Sequence, residues 1–305
     1  MTVVKQCRLL QKFYNFYNSV KKIHKYYLYR MFTMCEISQD LSDEHAIKLK
    51  EKHMNDAAGE TILLPEIDSY FGDDYVYFGD VINSPATSDR QVGVIWNLLS
   101  LAQGNSVLEL GCGYGRITNR LAEKGAQVAG LDIAPTLLKK AEADAAERGV
   151  NVEYVLGDMR SIPWRDRFDA AFLWYTTFGY FDDADNERVL REAASSLRKG
   201  GRLLIDNPTR FDPRHKFPIC SVAQRNDDVR IDIFSNDVLS DRENLERIIV
   251  RDGRVRRTHL SYRQYGFSEY VRMLRSAGFE TVEAYGKEGE PFTADSSRLV
   301  VVAHK

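Results

Sequence analysis

Three glycines in alternation, Gly111, Gly113 and Gly115, follow an apolar run that carries an acid next to its end, Val107-Leu108-Glu109-Leu110. Glycine in that pattern serves a tight turn with φ > 0 and a close approach of backbone to ligand, which a Cβ would block. Two further acids recur at comparable places. Asp132 ends the apolar run Gln127–Leu131, and Asp158 follows Gly157 at the end of Val152–Leu156. A carboxylate ending a strand can take two vicinal hydroxyls of a ribose through its two oxygens. Asp158 beside Met159 suits an adenine amino group and ring face. The glycine turn itself could serve a pyrophosphate or an amino-acid moiety.

Those residues need strand ends to hold them, and the intervening segments supply the elements. Apolar runs of five or six residues alternate with helical stretches: strand Ser106–Leu110, helix Ile117–Lys124, strand Gln127–Asp132, helix Pro135–Arg148 stopped by Gly149, strand Val152–Leu156, strand Phe168–Trp174, helix Asn186–Leu197 closed by Gly200-Gly201, and strand Arg202–Asp206. This period predicts an α/β fold with a doubly wound, mostly parallel sheet and right-handed crossovers. In such sheets ligands sit outside the carboxyl ends of the strands. Before the sheet, Ser88–Ala102 reads as a helix with Ser88 as N-cap, and Leu64–Phe78 is rich in Tyr and Phe, broken by Gly72-Asp73-Asp74.

After Asp206 the pattern changes. Val229–Phe234, Leu245–Arg251 and Arg254–Tyr265 read as antiparallel strands, with Asp252-Gly253 as a two-residue hairpin turn. Phe267–Ala277 returns to helix, and Thr281–Ala284 and Arg298–Ala303 complete a seven-stranded sheet. The expected organisation is an N-terminal extension (residues 1–40), a helical cap (41–104), a cofactor-binding core (105–206), an inserted antiparallel lid (207–266) and a C-terminal helix with the last strands (267–305).

Composition narrows the partners. The 305 residues are 44% hydrophobic and 28% charged with a net charge of −2, which argues against bulk affinity for nucleic acid. Four cysteines (Cys7, Cys35, Cys112, Cys220) show no CxxC spacing and read as reduced thiols of an intracellular, cytoplasmic protein. No apolar run approaches the ~20 residues of a membrane span. There is no HxxxH and no paired Cys/His set, so no metal site is expected. Residues 1–35 differ from the rest, with Lys5, Arg8, Lys12, Lys21, Lys22, Lys25 and Arg30 but no acid. Their apolar residues recur at helical spacing, as in a helix packed on the body or on a second subunit, or one lying on an anionic surface.

A dinucleotide site is the first rival. Its G-x-G-x-x-G is one residue longer than the turn here, which favours a different adenosyl ligand. The set Val107–Gly115, Asp132, Gly157-Asp158-Met159 and Lys199-Gly200-Gly201 closely resembles the class I S-adenosylmethionine-dependent methyltransferases. Thr176-Thr177-Phe178-Gly179-Tyr180-Phe181 looks like their small-molecule branch, and the inserted strands are similar to those of amino-sugar N-methyltransferases of antibiotic biosynthesis. The resemblance spans roughly residues 70–305. It implies S-adenosyl-L-methionine as cofactor and a small-molecule acceptor methylated on N or O, and it leaves room for a homodimer. An S-adenosylmethionine-binding protein with a regulatory or non-methylating role would carry the same motifs.

Residue by residue, the resemblance implies that Gly111, Cys112 and Gly113 pass the methionine moiety and Glu109 orders that turn. It places Asp132 on the ribose, Ile133 against adenine, Asp158 and Met159 around the base, and Trp174 and Tyr175 beneath the sulfonium. Tyr77, with Tyr75, is expected to close over the cofactor. Tyr175, His215 and Asp206 are the candidates for a base, with Tyr180, His259 and Tyr262 behind them. Arg254, Arg256, Arg257 and Arg263 offer either an anion clamp or a solvated sheet edge.

Overall fold

Alternate residues of the central strands pack against opposite helical layers, and this division builds the core. Val107, Phe172 and Leu204 turn to one side of the sheet, where they meet Val92, Ile95 and Leu121. Leu108, Leu173 and Leu203 turn to the other and meet Val189, Leu190, Met273 and Leu274. Such two-sided burial is why the strands read as continuous apolar runs. The computed structural model describes residues 70–209 and 219–305. Residues 1–69, with the expected N-terminal extension, the first part of the expected cap, Cys7 and Cys35, lie outside the described residues, as does His215.

Helices α1 (Asp73–Ile82) and α2 (Pro85–Leu98) precede the sheet. Gly72-Asp73-Asp74 starts α1 rather than breaking the segment: Gly72 is the N-cap, and the two acids sit in the first turn, where the helix dipole favours them. Ser84, not Ser88, caps α2. Its hydroxyl accepts the Thr87 amide at 3.2 Å, Pro85 occupies the first helical position, and Ser88 is buried inside the helix.

The alternating unit then follows as β1 (Ser106–Leu110), α3 (Thr118–Glu123), β2 (Gln127–Asp132), α4 (Pro135–Arg148), β3 (Val152–Leu156), β4 (Phe168–Leu173), α5 (Asp183–Ser196) and β5 (Leu197–Pro208). Gly149 caps α4 at φ +67°, as expected. At α5 the chain runs straight into β5. Phe168 pairs with Leu197 and Ala170 with Arg202, so Lys199-Gly200-Gly201 lies in a bulge of the strand instead of closing the helix.

The second sheet holds β6 (Ile219–Arg225), β7 (Asp228–Asp237), β8 (Arg242–Arg251) and β9 (Arg254–Arg263), antiparallel in that order. The sequence predicts three of these strands. It misses β6, whose side chains are mostly exposed and give no buried alternation. The Asp252-Gly253 hairpin is as expected, with φ of +53° and +69°. Helix α6 (Phe267–Ser276) and strands β10 (Thr281–Tyr285) and β11 (Arg298–His304) finish the chain.

The first sheet has the order β10-β11-β5-β4-β1-β2-β3. Strands β1 to β5 are parallel, and β11 is antiparallel to both β5 and β10. Because β1 has β2 on one side and β4 on the other, strand order reverses there, and the glycine turn opens at that crevice. No helix among the described residues is long and apolar enough to cross a membrane.

Candidate active site

The glycine turn is built onto the end of β2. Gly111 and Cys112 donate their amides to the Leu131 carbonyl at 2.7 and 3.2 Å, and the Gly113 amide reaches Asp132 Oδ2 at 2.7 Å. Asp132 Oδ1 accepts the Ala134 amide at 2.9 Å, which opens α4. Asp132 is 8% exposed, and burial raises its carboxyl above the usual range. Each of its oxygens spends one lone pair on backbone and keeps another, so two vicinal hydroxyls still find acceptors there.

Gly111 (φ +68°) has a second reason to lack a side chain, since a Cβ there would overlap the Thr177 methyl group. Glu109, 4% exposed, accepts the Thr118 hydroxyl, and burial pushes its carboxyl up to about 8. Cys112 is buried with its thiol well above the ordinary value, which makes it packing rather than nucleophile.

A cleft joins this turn to the ends of the neighbouring strands. Ile133, Gly157, Asp158 and Met159 line one end, and Trp174, Tyr175, Thr177 and Tyr180 line the other. Phe71 and Tyr75 come from the start of the described chain, and His259 and Leu260 from β9. Asp158 is gripped by Arg160, which donates to Oδ2 through Nη2 at 2.7 Å and to Oδ1 through its amide at 2.8 Å. That guanidinium holds the Asp158 carboxyl below its usual range against a desolvation effect that works the other way. Arg160 also pairs with Asp185 at 2.6 Å and covers the Phe181 ring at 4.3 Å.

This donor set suits an adenosyl ligand with an amino-acid tail: a preformed turn, a diol acceptor, apolar faces at Ile133 and Met159, and aromatic rings where a cation would sit. A family profile described as a methyltransferase domain matches residues 107–201, from the first strand of this site to the bulge of β5. YqeM of Bacillus subtilis (strain 168), which bears a methyltransferase name, is 29% identical over 221 residues, 69% of this chain and 88% of that protein. An S-adenosylmethionine-dependent methyltransferase of Clostridium acetobutylicum superposes with a TM-score of 0.65 at 15% identity, covering 75% of this chain and 96% of that one. The sugar N-methyltransferase KedS8 of Streptoalloteichus sp superposes at 0.57 and 21% identity, covering 82% and 98%.

The chain is an S-adenosylmethionine-dependent methyltransferase.

In this methyltransferase the expected site residues do not all meet. Glu109, Gly111, Cys112, Gly113, Asp132, Ile133, Asp158, Met159, Trp174 and Tyr175 line one cleft. Tyr77 does not. Residues two apart on a helix point away from each other, so α1 turns Tyr75 to the cleft and Tyr77 to the second sheet. There the Tyr77 ring lies 4.0 Å from the Arg251 guanidinium and 4.6 Å from that of Arg225.

Asp206 is not among the cleft-lining residues either. Arg298 binds its two oxygens through Nε at 2.6 Å and Nη2 at 2.9 Å, and Oδ2 also accepts the Tyr175 amide at 3.0 Å. A carboxylate so occupied is a strut, not a base. Tyr262 donates to Glu243 away from the cleft, and burial holds the Tyr180 phenol well above its ordinary value. The basic hairpin is not an anion clamp: Arg256 pairs with Asp74, Arg257 with Glu246, and Arg263 with Glu269.

Sequence reasoning missed Phe71 and Arg116 in the cleft. Arg116 had a local signal, since it directly follows the glycine turn; it donates to Ser88 Oγ at 3.1 Å and Gln91 Oε1 at 2.5 Å. Among the described residues no group of three or more His, Cys, Asp or Glu side chains is placed to hold a metal ion.

Proposed function

We propose that this methyltransferase methylates a nitrogen of a small, amine-bearing molecule, of the sugar-like kind found in natural-product biosynthesis. One observation carries the reading: Tyr75, Trp174, Tyr175 and Tyr180 put aromatic rings into the cleft, and its carboxyl groups are each engaged by the protein itself, Glu109 by Thr118, Asp132 by the Gly113 and Ala134 amides, and Asp158 by Arg160. An amine attacks once it has lost a proton to water, whereas a hydroxyl gains from a positioned base. The likeness of the fold to a sugar N-methyltransferase supports the same class of acceptor.

In this reading Gly111, Cys112 and Gly113 face the methionine moiety and Glu109 holds their turn through Thr118. Asp132 takes the ribose hydroxyls. Ile133 and Met159 sandwich the adenine, and Asp158 meets its amino group while gripped by Arg160. S-adenosylmethionine supplies a methyl on a sulfonium, already a good leaving group. The protein then has to align nucleophile and methyl carbon at ~3–3.5 Å and keep water out. Trp174 and Tyr175 floor that space, Tyr75 and Tyr180 wall it, and His259 stands at its mouth. Residues 105–206 with 267–305 form the donor half, and 207–266 are the lid that selects the acceptor.

The test is calorimetric titration with S-adenosylmethionine and S-adenosylhomocysteine, then release of labelled methyl onto matched amino sugars and their hydroxyl analogues. Turnover of the amino sugars is expected. Turnover confined to the hydroxyl analogues would move the assignment to O-methylation. No turnover in either panel would sink the sugar-like acceptor.

A further inference from the structure

Tyr175 and Thr176, neither of them glycine, are both left-handed, with φ of +62° and +67°. A side chain with a Cβ disfavours this region, and such residues persist only where their surroundings hold them. The surroundings here converge on one residue. Asp206 Oδ2 accepts the Tyr175 amide at 3.0 Å, and its backbone carbonyl accepts the Thr176 amide at 3.0 Å. Arg298 in turn binds the Asp206 carboxylate with two nitrogens. Its Nη2 also donates to Thr176 Oγ1 at 3.1 Å, and its guanidinium carbon lies 5.4 Å from the Tyr175 ring centroid.

The topology explains how Arg298 arrives there. Strand β11 runs antiparallel to β5, with Val300 opposite Asp206 and Arg298 opposite Pro208. Its first residue therefore sits at the carboxyl edge of the parallel strands, diagonal to Asp206. Downstream of the turn, Thr177 Oγ1 donates to the Trp174 carbonyl at 2.7 Å, and the Thr177 methyl occupies the space that a side chain on Gly111 would need. A chain of contacts thus runs from Arg298 through Asp206 and the Tyr175–Thr176 turn to the glycine turn.

We infer that Arg298 is a positioning residue of the transfer site: through Asp206 and Thr176 it holds the left-handed turn that sets Tyr175 in the cleft and Thr177 against Gly111. The inference rests on the reading of Tyr175 as floor of the transfer space, but its test needs no acceptor. The variants are Arg298→Met, Arg298→Lys, Thr176→Gly, and each Arg298 variant combined with Thr176→Gly. The probe is S-adenosylhomocysteine, titrated calorimetrically, with circular dichroism and thermal melting as the record of folding.

Arg298→Met is expected to weaken S-adenosylhomocysteine binding by roughly tenfold or more, the effect of letting one or two strained residues relax. Arg298→Lys should fall between, since it keeps a charge for Asp206 but loses the planar fork that reaches Thr176 as well. The decisive result is rescue. Glycine adopts positive φ without penalty, so adding Thr176→Gly should return most of the lost affinity. A lower melting temperature with unchanged affinity would make Arg298 a sheet-edge strut and overturn the inference. So would a loss of affinity that Thr176→Gly does not repair. Should Arg298→Met fail to fold, the same comparison on Arg298→Lys, with and without Thr176→Gly, decides it. If every sugar acceptor failed in the wild-type protein while this rescue held, the proposed function would fall and the role of Arg298 would stand.

Discussion

The Gly113 amide donates to Asp132 Oδ2 across 2.7 Å, which makes the turn after β1 and the acid that ends β2 one hydrogen-bonded unit. Asp132 serves two tasks at once, as the acceptor that shapes the turn and as the acceptor left over for a diol. Asp132→Ala removes both and strands the Gly113 and Ala134 amides, each worth about 1–3 kcal/mol if left unpaired in a buried site. Affinity for S-adenosylmethionine and S-adenosylhomocysteine should fall by at least about tenfold. Asp132→Asn, which keeps one acceptor oxygen, should lose less. Isothermal titration on both variants checks the ranking.

The protonation of Glu109 predicts a pH signature. Burial lifts its carboxyl from an ordinary 4.5 to about 8, so in the free protein it holds its proton at neutral pH. Between those values the folded state binds one proton that the unfolded state does not, and this group's contribution to stability declines as pH rises from 4.5 toward 8. A ligand with a sulfonium and an ammonium favours the ionised form and expels that proton. Cofactor affinity should therefore rise with pH up to about 8 and then level. Calorimetry in buffers of different ionisation enthalpy should record proton release at pH 7. Glu109→Gln should abolish it.

Helix α1 separates the roles of two tyrosines. Tyr75 lines the cleft, while Tyr77 stacks between Arg251 and Arg225. Tyr75→Ala should weaken S-adenosylhomocysteine binding severalfold through lost apolar and aromatic contact, which is worth about 1–3 kcal/mol for a large buried ring. Tyr77→Ala should leave affinity nearly unchanged and lower the melting temperature instead. The two readouts should move for different variants.

Asp74 fastens the same helix to the second sheet. It accepts from Arg251 Nη1 at 3.0 Å and from Arg256 at 2.6 and 2.7 Å. Partly exposed pairs of this kind contribute modestly, about 1 kcal/mol or less each, so Asp74→Asn should fold normally. Its effect should appear in rates: stopped-flow displacement of S-adenosylhomocysteine should be faster than in the wild type.

Much of this site was legible because its parts are local. Glu109, the three glycines, Asp132 and Asp158 each sit where a strand ends, and a strand end can be read within ten residues of sequence. The parallel sheet followed from the same segments, because burial on both faces leaves an apolar run. Long-range partners were not legible. Nothing near Asp206 announces Arg298, which lies 92 residues on and arrives only because β11 is antiparallel. Nor does the sequence show that Arg160, two residues on, folds back onto Asp158. Tyr77 was misassigned because aromatic content says nothing of helical phase. Strand β6 escaped because exposed strands carry no burial pattern.

The pinning of α1 to the second sheet has a consequence for the order of events in turnover. The rings at the start of α1 and the residues of β9 wall the same cleft, and two arginines link the two pieces, so motion of one is expected to carry the other with it. On the proposed function, donor, acceptor and spent donor share that cleft as one doorway. The expected order is then release of the methylated product before the spent donor. Accumulation of bound S-adenosylhomocysteine in the steady state, with a burst of methyl transfer ahead of it, would be the trace such a doorway leaves.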